Sequence, residues 1–167
     1  HDRQGVNVKT MRYFITGGAG FIGSHLSERL IAEGGEVMAV DNFDPYYDRA
    51  VKLKNIAGLI STGRFSLVEA DIRDRVGMEK NIGGFSPDVI VHLAARAGVR
   101  PSLVDPVLYQ DVNMIGTTVL LEASRKVGVK NFVFASSSSV YGNCTNVPFS
   151  EGDHTATPIS PYGATKR

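Results

Sequence analysis

Two side chains in this 167-residue sequence could do acid–base work together: Tyr162 and Lys166. They follow Ser160-Pro161, a serine placed to cap a helix and a proline suited to its first turn. Four residues apart, they then share one helix face. A phenol with an ordinary pKa near ~10 is a poor base at neutral pH. An ammonium alongside favours the phenolate and makes the tyrosine a usable proton acceptor. A serine hydroxyl from the cluster Ser136-Ser137-Ser138-Ser139 could hold the same substrate oxygen. Tyr-x-x-x-Lys alone also fits a solvated helix start, so the weight lies in what accompanies it.

A second group of residues is built to meet phosphate. Tyr13-Phe14-Ile15-Thr16 is a short apolar run, and Gly17-Gly18-Ala19-Gly20-Phe21-Ile22-Gly23 opens from it into a helical pattern. Gly17 suits the turn, Gly20 leaves room for a pyrophosphate against the main chain, and Gly23 lets helix and strand pack closely. The first N–H groups of such a helix point at an anion. A second apolar run, Val37 to Val40, ends at Asp41. A carboxylate there suits the hydroxyls of an adenosine ribose and repels a 2′-phosphate, which points to NAD. His25, not lysine, follows Gly23-Ser24, which excludes a phosphate loop of the NTPase kind.

Composition narrows the field further. Eighteen basic residues against seventeen acidic leave no bias towards nucleic acid or a membrane surface. The single Cys144 can form neither an internal disulfide nor a cysteine-built metal site, so a reducing compartment and no metal are expected. No apolar run approaches the ~20 residues that span a bilayer. Residues His1 to Thr10 have no apolar period and are expected to be a remnant or disordered leader ahead of a domain over residues 11–167. With no signal peptide in view, the expected location is the cytoplasm.

These residues must be held by alternating strands and helices. A helix follows the first glycine turn, with Ile22, Leu26 and Leu30 on one face, and ends at Gly34-Gly35. Strand two is Glu36 to Val40; a polar, aromatic loop and a helix over Arg49 to Leu59 follow. Strand three is Phe65 to Glu69, ending at Asp71, and the next helix runs from Asp74 to Ile82, closed by Gly83-Gly84. Strand four, Asp88 to Leu93, is nearly all apolar, as for a strand covered on both faces. A loop from Ala94 to Pro106 leads to a long helix, Val107 to Lys126, with Val112, Ile115, Val119 and Ala123 on its core face. Strand five is Asn131 to Ala135. This alternation predicts an α/β, Rossmann-type doubly wound parallel sheet with ligands at the carboxyl ends of its strands. Each polar cluster falls at such an end.

The motifs Thr16-Gly17-Gly18-Ala19-Gly20-Phe21-Ile22-Gly23, Asp41-Asn42, Asp71-Ile72-Arg73, Ser136 to Gly142 and Ser160-Pro161-Tyr162-Gly163-x-x-Lys166 resemble the extended short-chain dehydrogenase/reductases. Within them the chain is similar to NAD-dependent nucleotide-sugar epimerases and dehydratases. Ala94 to Ser102 and Asp41 to Asp48 are most like the UDP-glucuronate 4-epimerase branch. The resemblance implies that Phe21 and Ile22 meet the pyrophosphate through N–H groups, with Gly17, Gly20 and Gly23 shaping the turn. It implies that Asp41 and Asn42 hold the ribose, Asp71 and Ile72 flank adenine, and Leu93, Ala94 and Ala95 line the nicotinamide side. Ser137 is then the catalytic hydroxyl, Tyr162 the acid/base and Lys166 its ribose-binding partner. The implied reaction moves the sugar C4 proton to Tyr162 and hydride to NAD; the 4-keto sugar turns over and takes hydride back on its other face. The resemblance further implies a UDP-sugar substrate and a homodimeric parent whose interface includes the helix from Val107.

The chain also departs from its relatives. The dehydratases carry Thr-Asp-Glu where this sequence has Ser137-Ser138-Ser139. Without that acidic pair, elimination of water is disfavoured. The three hydroxyls could instead donate to a uronate carboxylate, or merely cap the strand end. His92 reads as a satisfied core histidine, and Tyr46-Tyr47 as packing beneath their loop, with contact to adenosine as the alternative. Family members continue into a C-terminal substrate lobe, as the resemblance implies, so the sequence reads as a cofactor domain ending before that lobe. Residues from Tyr162 onward are expected to fray, leaving a chain that binds NAD weakly and turns over no sugar. A related dehydratase or reductase, or an NAD-binding module without catalysis, is the alternative function.

Overall fold

The computed structural model describes residues 9–155 and 157–167. The expected leader therefore falls mostly outside the described residues; of it, Lys9 pairs with Asp88. Five parallel strands form one sheet: β1 (Arg12–Thr16), β2 (Glu36–Asp41), β3 (Phe65–Glu69), β4 (Val89–His92) and β5 (Asn131–Phe134), in the order β3-β2-β1-β4-β5. The order reverses at β1, which pairs with both β2 and β4. That reversal opens a crevice above the carboxyl end of β1.

Alternation along β1 sends Phe14 to one face and Ile15 to the other, both fully buried. Ile15 packs with Val37, Val91, Leu26 and Leu30, beneath α1 (Phe21–Ala32). Beside it α2 (Arg49–Ile60) buries Ile56 and Leu59 against Ala19 and Phe43. On the opposite face Phe14 and Ile90 meet Met78, Ile82 and Phe85 of α3 (Arg75–Phe85) and Leu120 and Ala123 of α6 (Gly116–Val127). Each such large apolar side chain contributes about 1.5–3 kcal/mol on burial. The doubly wound architecture expected from the alternation is present, with strand ends within one residue of expectation at β2 and β4.

Three local expectations are corrected. Helix α3 does not stop at Gly83-Gly84; burial of Ile82 and Phe85 carries it onward, and Ser86 ends it in a left-handed conformation (φ 48°) with its N–H on the Ile82 carbonyl. The segment after β4 is not a simple loop, because α4 (Val99–Val104) forms within it. The long helix is not regular either. It starts as α5 (Pro106–Tyr109), widens into a π turn over Gln110–Ile115, and resumes as α6. The wide turn shifts the helical register, so Ile115 is 53% exposed while Leu120 and Ala123 are buried.

The last helix, α7 (Pro161–Thr165), is capped as its sequence suggests: Ser160 accepts from the Gly163 N–H at 2.9 Å. The chain here does not fray in the structure. Thr165 and Lys166 are buried. Other elements supply what a lone turn lacks: Asn113 donates to Thr165 Oγ1, and the Ser136 hydroxyl donates to the Lys166 carbonyl.

Candidate functional site

The turn after β1 is where close packing demands glycine. Gly17 sits at φ 68° with its N–H on the Val40 carbonyl, and a Cβ there would lie 2.9 Å from the Ala94 nitrogen. A Cβ on Gly23 would lie 2.4 Å from the Gly17 carbonyl oxygen. Helix α1 therefore begins directly against the turn. Its N-cap, Gly20, offers no side-chain acceptor, whereas α2, α3, α5 and α7 are capped by Asp48, Asp74, Asp105 and Ser160. The first N–H groups of α1, Phe21 and Ile22 among them, have no partner within the helix. Both residues are exposed, and both line the cleft above the sheet. A glycine cradle with uncapped donors fits the diphosphate of a dinucleotide.

That cleft encloses about 540 Å³ and draws on the carboxyl ends of all the inner strands. Every residue expected from the sequence to hold a cofactor is in its wall: the Gly17, Gly20 and Gly23 backbone with Phe21 and Ile22, then Asp41 and Asn42, Asp71 and Ile72, Leu93 to Ala95, and Tyr162 with Lys166. Asp41 is 5% exposed. Its Oδ1 accepts from Lys52 Nζ at 2.8 Å and from the Phe43 N–H at 2.9 Å, and its Oδ2 from the Ala19 N–H at 3.2 Å. These bonds fix the carboxylate while leaving lone pairs for ribose hydroxyls. Asn42 donates to Asp71 Oδ2 at 3.0 Å. The Arg73 guanidinium grips Asp71 and, at 2.5 Å, Asp111; chiefly through the Arg73–Asp71 hydrogen bonds the Asp71 carboxyl is held down at about 2.

At the other end of the cleft, Lys166 donates to the Ala135 carbonyl at 2.9 Å, with its ammonium 4.8 Å from the Phe134 ring centroid. Burial pulls its pKa down to about 8, so it remains mainly cationic at neutral pH. Tyr162 is aimed by its own backbone and ring. Its N–H donates to Ser102 Oγ at 3.1 Å, Ser102 in turn donates to the Val99 carbonyl, and the ring stands edge-on to Tyr109. Gly163 allows α7 to approach the Ser139 carbonyl, which a Cβ would meet at 2.7 Å.

The serines after β5 are placed differently from expectation. Ser136 lines the cleft, but Ser137, Ser138 and Ser139 do not. Ser137 caps the 3-10 turn Ser138–Tyr141, accepting from the Ser139 N–H at 3.2 Å. The structure thus brings Tyr162 and Lys166 together with the dinucleotide residues and leaves the three expected substrate hydroxyls outside the wall. Tyr46 and Tyr47 were expected to pack beneath their loop; both instead line the cleft, edge-on to each other.

His92 is a core histidine, as its strand suggests. It is 1% exposed, and burial, with repulsion from Lys166 second, lowers its pKa to about 3. Its partners fix the neutral tautomer. Thr16 Oγ1 accepts from the Ala94 N–H and so donates to His92 Nδ1 at 2.7 Å. Thr117 donates to the Asn113 carbonyl and accepts from His92 Nε2 at 2.9 Å. This assignment follows from the hydrogen-bond network.

Sequence reasoning missed Lys52, Asn113, Arg96 and Ser102. Asn113, in the π turn, clamps the backbone of Arg96: Oδ1 accepts its N–H at 2.8 Å and Nδ2 donates to its carbonyl at 3.1 Å. Only Lys52 left a signal, as a charged residue at helical spacing with the apolar Ile56 and Leu59. The others depend on partners far away in sequence.

The described residues contain no helix long and apolar enough to cross a membrane. A family model described as GDP-mannose 4,6 dehydratase matches residues 14–167. A probable UDP-glucuronate 4-epimerase of Rhizobium meliloti is 43% identical over 157 residues, covering 94% of this chain and 46% of that protein. The UDP-glucose-4-epimerase of Stenotrophomonas maltophila, solved with NAD and formylated UDP-arabinopyranose bound, superposes with a TM-score of 0.83 at 38% identity, over 93% of this chain and 45% of that one. A dTDP-glucose 4,6-dehydratase of Streptomyces venezuelae, solved with NAD bound, gives 0.83 at 34% identity, over 93% and 48%. The chain thus spans about half the length of the relatives it matches. With the glycine cradle, the strand order and the Tyr-Lys pair, these likenesses place it in the GDP-mannose 4,6-dehydratase family of nucleotide-sugar epimerases and dehydratases.

Proposed function

We propose that this chain is the NAD-binding part of a nucleotide-sugar 4-epimerase acting on a UDP-sugar of the UDP-glucuronate class. One observation carries the reading: a single cleft joins the uncapped glycine-to-helix junction, the buried Asp41 carboxylate and the Tyr162–Lys166 face. NAD bound there would supply a hydride acceptor that each turnover regenerates. Asp41 would hold the adenosine ribose and discriminate against a 2′-phosphate. Lys166 would hold the nicotinamide ribose, and Tyr162 would move a proton at the C4 oxygen of the sugar. Ser137, whose hydroxyl accepts from the Ser139 N–H and keeps its own O–H to donate, would complete the acid–base set. The relatives' names support the epimerase reading, and the missing acidic pair at Ser138-Ser139 speaks against dehydration. Exposed Leu103, Val104, Val107, Met114 and Leu121 suit a homodimer interface, and a cytoplasmic location fits this chemistry.

The position of Ser137 to Ser139 favours one alternative, a dinucleotide-binding module without sugar chemistry. Incubating the full-length protein with UDP-glucuronate and UDP-glucose, with products followed by NMR, separates the two. The epimerase reading expects a C4-inverted product from UDP-glucuronate and little from UDP-glucose. Tight NAD binding with neither sugar converted would establish the alternative. Indifference to NAD, or equal affinity for NADP, would overturn both.

A further inference from the structure

The loops that follow β2 and β4 are tied to each other across the end of β1. Arg96 Nη1, in the loop after β4, meets Asp44 Oδ1, in the loop after β2, at 2.5 Å. Strands β2 and β4 lie on either side of β1, so this pair bridges the two loops that flank the glycine turn fed by β1. Asp44, Arg96 and that turn all line one cleft.

Both ends of the crossing are anchored. Arg96 is clamped through its backbone by Asn113, as described above, and its guanidinium lies 5.0 Å from the Tyr46 ring centroid. Asp44 takes the Tyr46 N–H on the same Oδ1 at 2.9 Å, and its own N–H donates to Asn42 Oδ1. The Tyr46 hydroxyl closes on Gly98, where a Cβ would meet it at 3.3 Å. Arg96 also holds an unspent donor: its Nε is buried without a hydrogen-bond partner. An orphaned buried N–H is unfavourable, and an anionic oxygen within its reach would relieve that.

We propose that Arg96 is a cofactor-retaining residue, which pairs with Asp44 to close a strap over the diphosphate seat so that a bound dinucleotide leaves only when the pair opens. The inference rests on the dinucleotide reading above. It assigns Arg96 to retention and gives it no part in the sugar chemistry. Losing one partner of a shielded charge pair acts mainly on dissociation.

Stopped-flow displacement of NADH by excess NAD, read by NADH fluorescence, tests this on the full chain. Arg96→Gln and Asp44→Asn should each raise the dissociation rate on the order of tenfold, with a much smaller change in association. The double variant should lose no more than either single one, as coupled residues do. The swapped pair, Arg96→Asp with Asp44→Arg, should recover part of the retention, which a damaged fold would not. In the ligand-free chain, hydrogen exchange over residues 42–48 should quicken in Arg96→Gln. Measurable NADH binding with unchanged dissociation, or strictly additive effects, overturns the strap alone. No NADH binding by the unaltered chain overturns the dinucleotide reading and the strap with it.

Discussion

The two ends of the cleft are finished to different degrees. At the adenosine end, Asp41 is buried and already holds three donors, and Asn42, Asp71, Arg73 and Asp111 form a continuous bonded row. At the Tyr162–Lys166 end, Lys166 and Ser136 are tied to backbone, while the Ser137 hydroxyl accepts within its own turn. The end that grips the constant part of a dinucleotide is rigid before any ligand arrives. The end proposed to meet a sugar has Tyr162 and Lys166 in its wall, while Ser137, Ser138 and Ser139 are not among its lining residues. Holding a cofactor needs residues that are local to single strand ends. The placement of Tyr162, by contrast, depends on Ser102 of α4 and Tyr109 of α5.

The largest way to break this contrast is Asp41→Ala. It would strand the Lys52 ammonium, whose side chain is 11% exposed, and should cost about 3 kcal/mol or more in denaturant unfolding. Replacing both residues by apolar ones of similar volume should recover much of that loss. A fully recovered stability with NAD affinity intact would show that the rigid end is only packing.

Acid should weaken the fold through groups near both ends. His92 is neutral when folded down to about 3, against an unfolded value near 6.5. Between those values the unfolded chain takes up a proton that the folded one refuses, so stability falls as pH falls, by up to about 1.4 kcal/mol per pH unit. Asp71 adds a further loss from its ordinary value of 3.8 down to about 2. Lys166 acts at the alkaline side: with a folded value about 8 against 10.5, its burial penalty fades and stability should rise between them. Urea unfolding from about pH 2 to 10.5 checks all three, and His92→Asn should flatten the acid slope selectively.

The smallest effect should come from Ser137→Ala. As loss of a turn cap it should cost about 1 kcal/mol and leave NADH affinity unchanged by calorimetry. A larger loss of NADH binding would move Ser137 into the cofactor site and sharpen the boundary between the two ends.

Much of this arrangement is legible in the chain itself, because it is local. Glycine spacing after an apolar run marks the turn, and a carboxylate ending the next run marks the ribose end. Alternation of strand and helix gives the sheet. What escaped reading depends on contacts between distant segments. Nothing near Gly83-Gly84 announces that Phe85 will be drawn into the core and carry α3 past two glycines. Asn113 and Ser102 resemble ordinary polar residues until the fold brings Arg96 and Tyr162 to them. Ser137, Ser138 and Ser139 could be read as substrate hydroxyls or as a strand-end cap, and the cap that Ser137 makes on the 3-10 turn is visible only once the chain has folded.

The wide turn over Gln110–Ile115 sets the angular phase of everything after it. Removing one residue from this segment, as a deletion variant would, rotates the downstream helix by about 100° relative to what precedes it. Asn113 could then no longer serve Arg96 and Thr165 while Leu120 keeps its place under the sheet. An apparent irregularity thereby acts as a gearing element, making one helix answer to two masters at different azimuths.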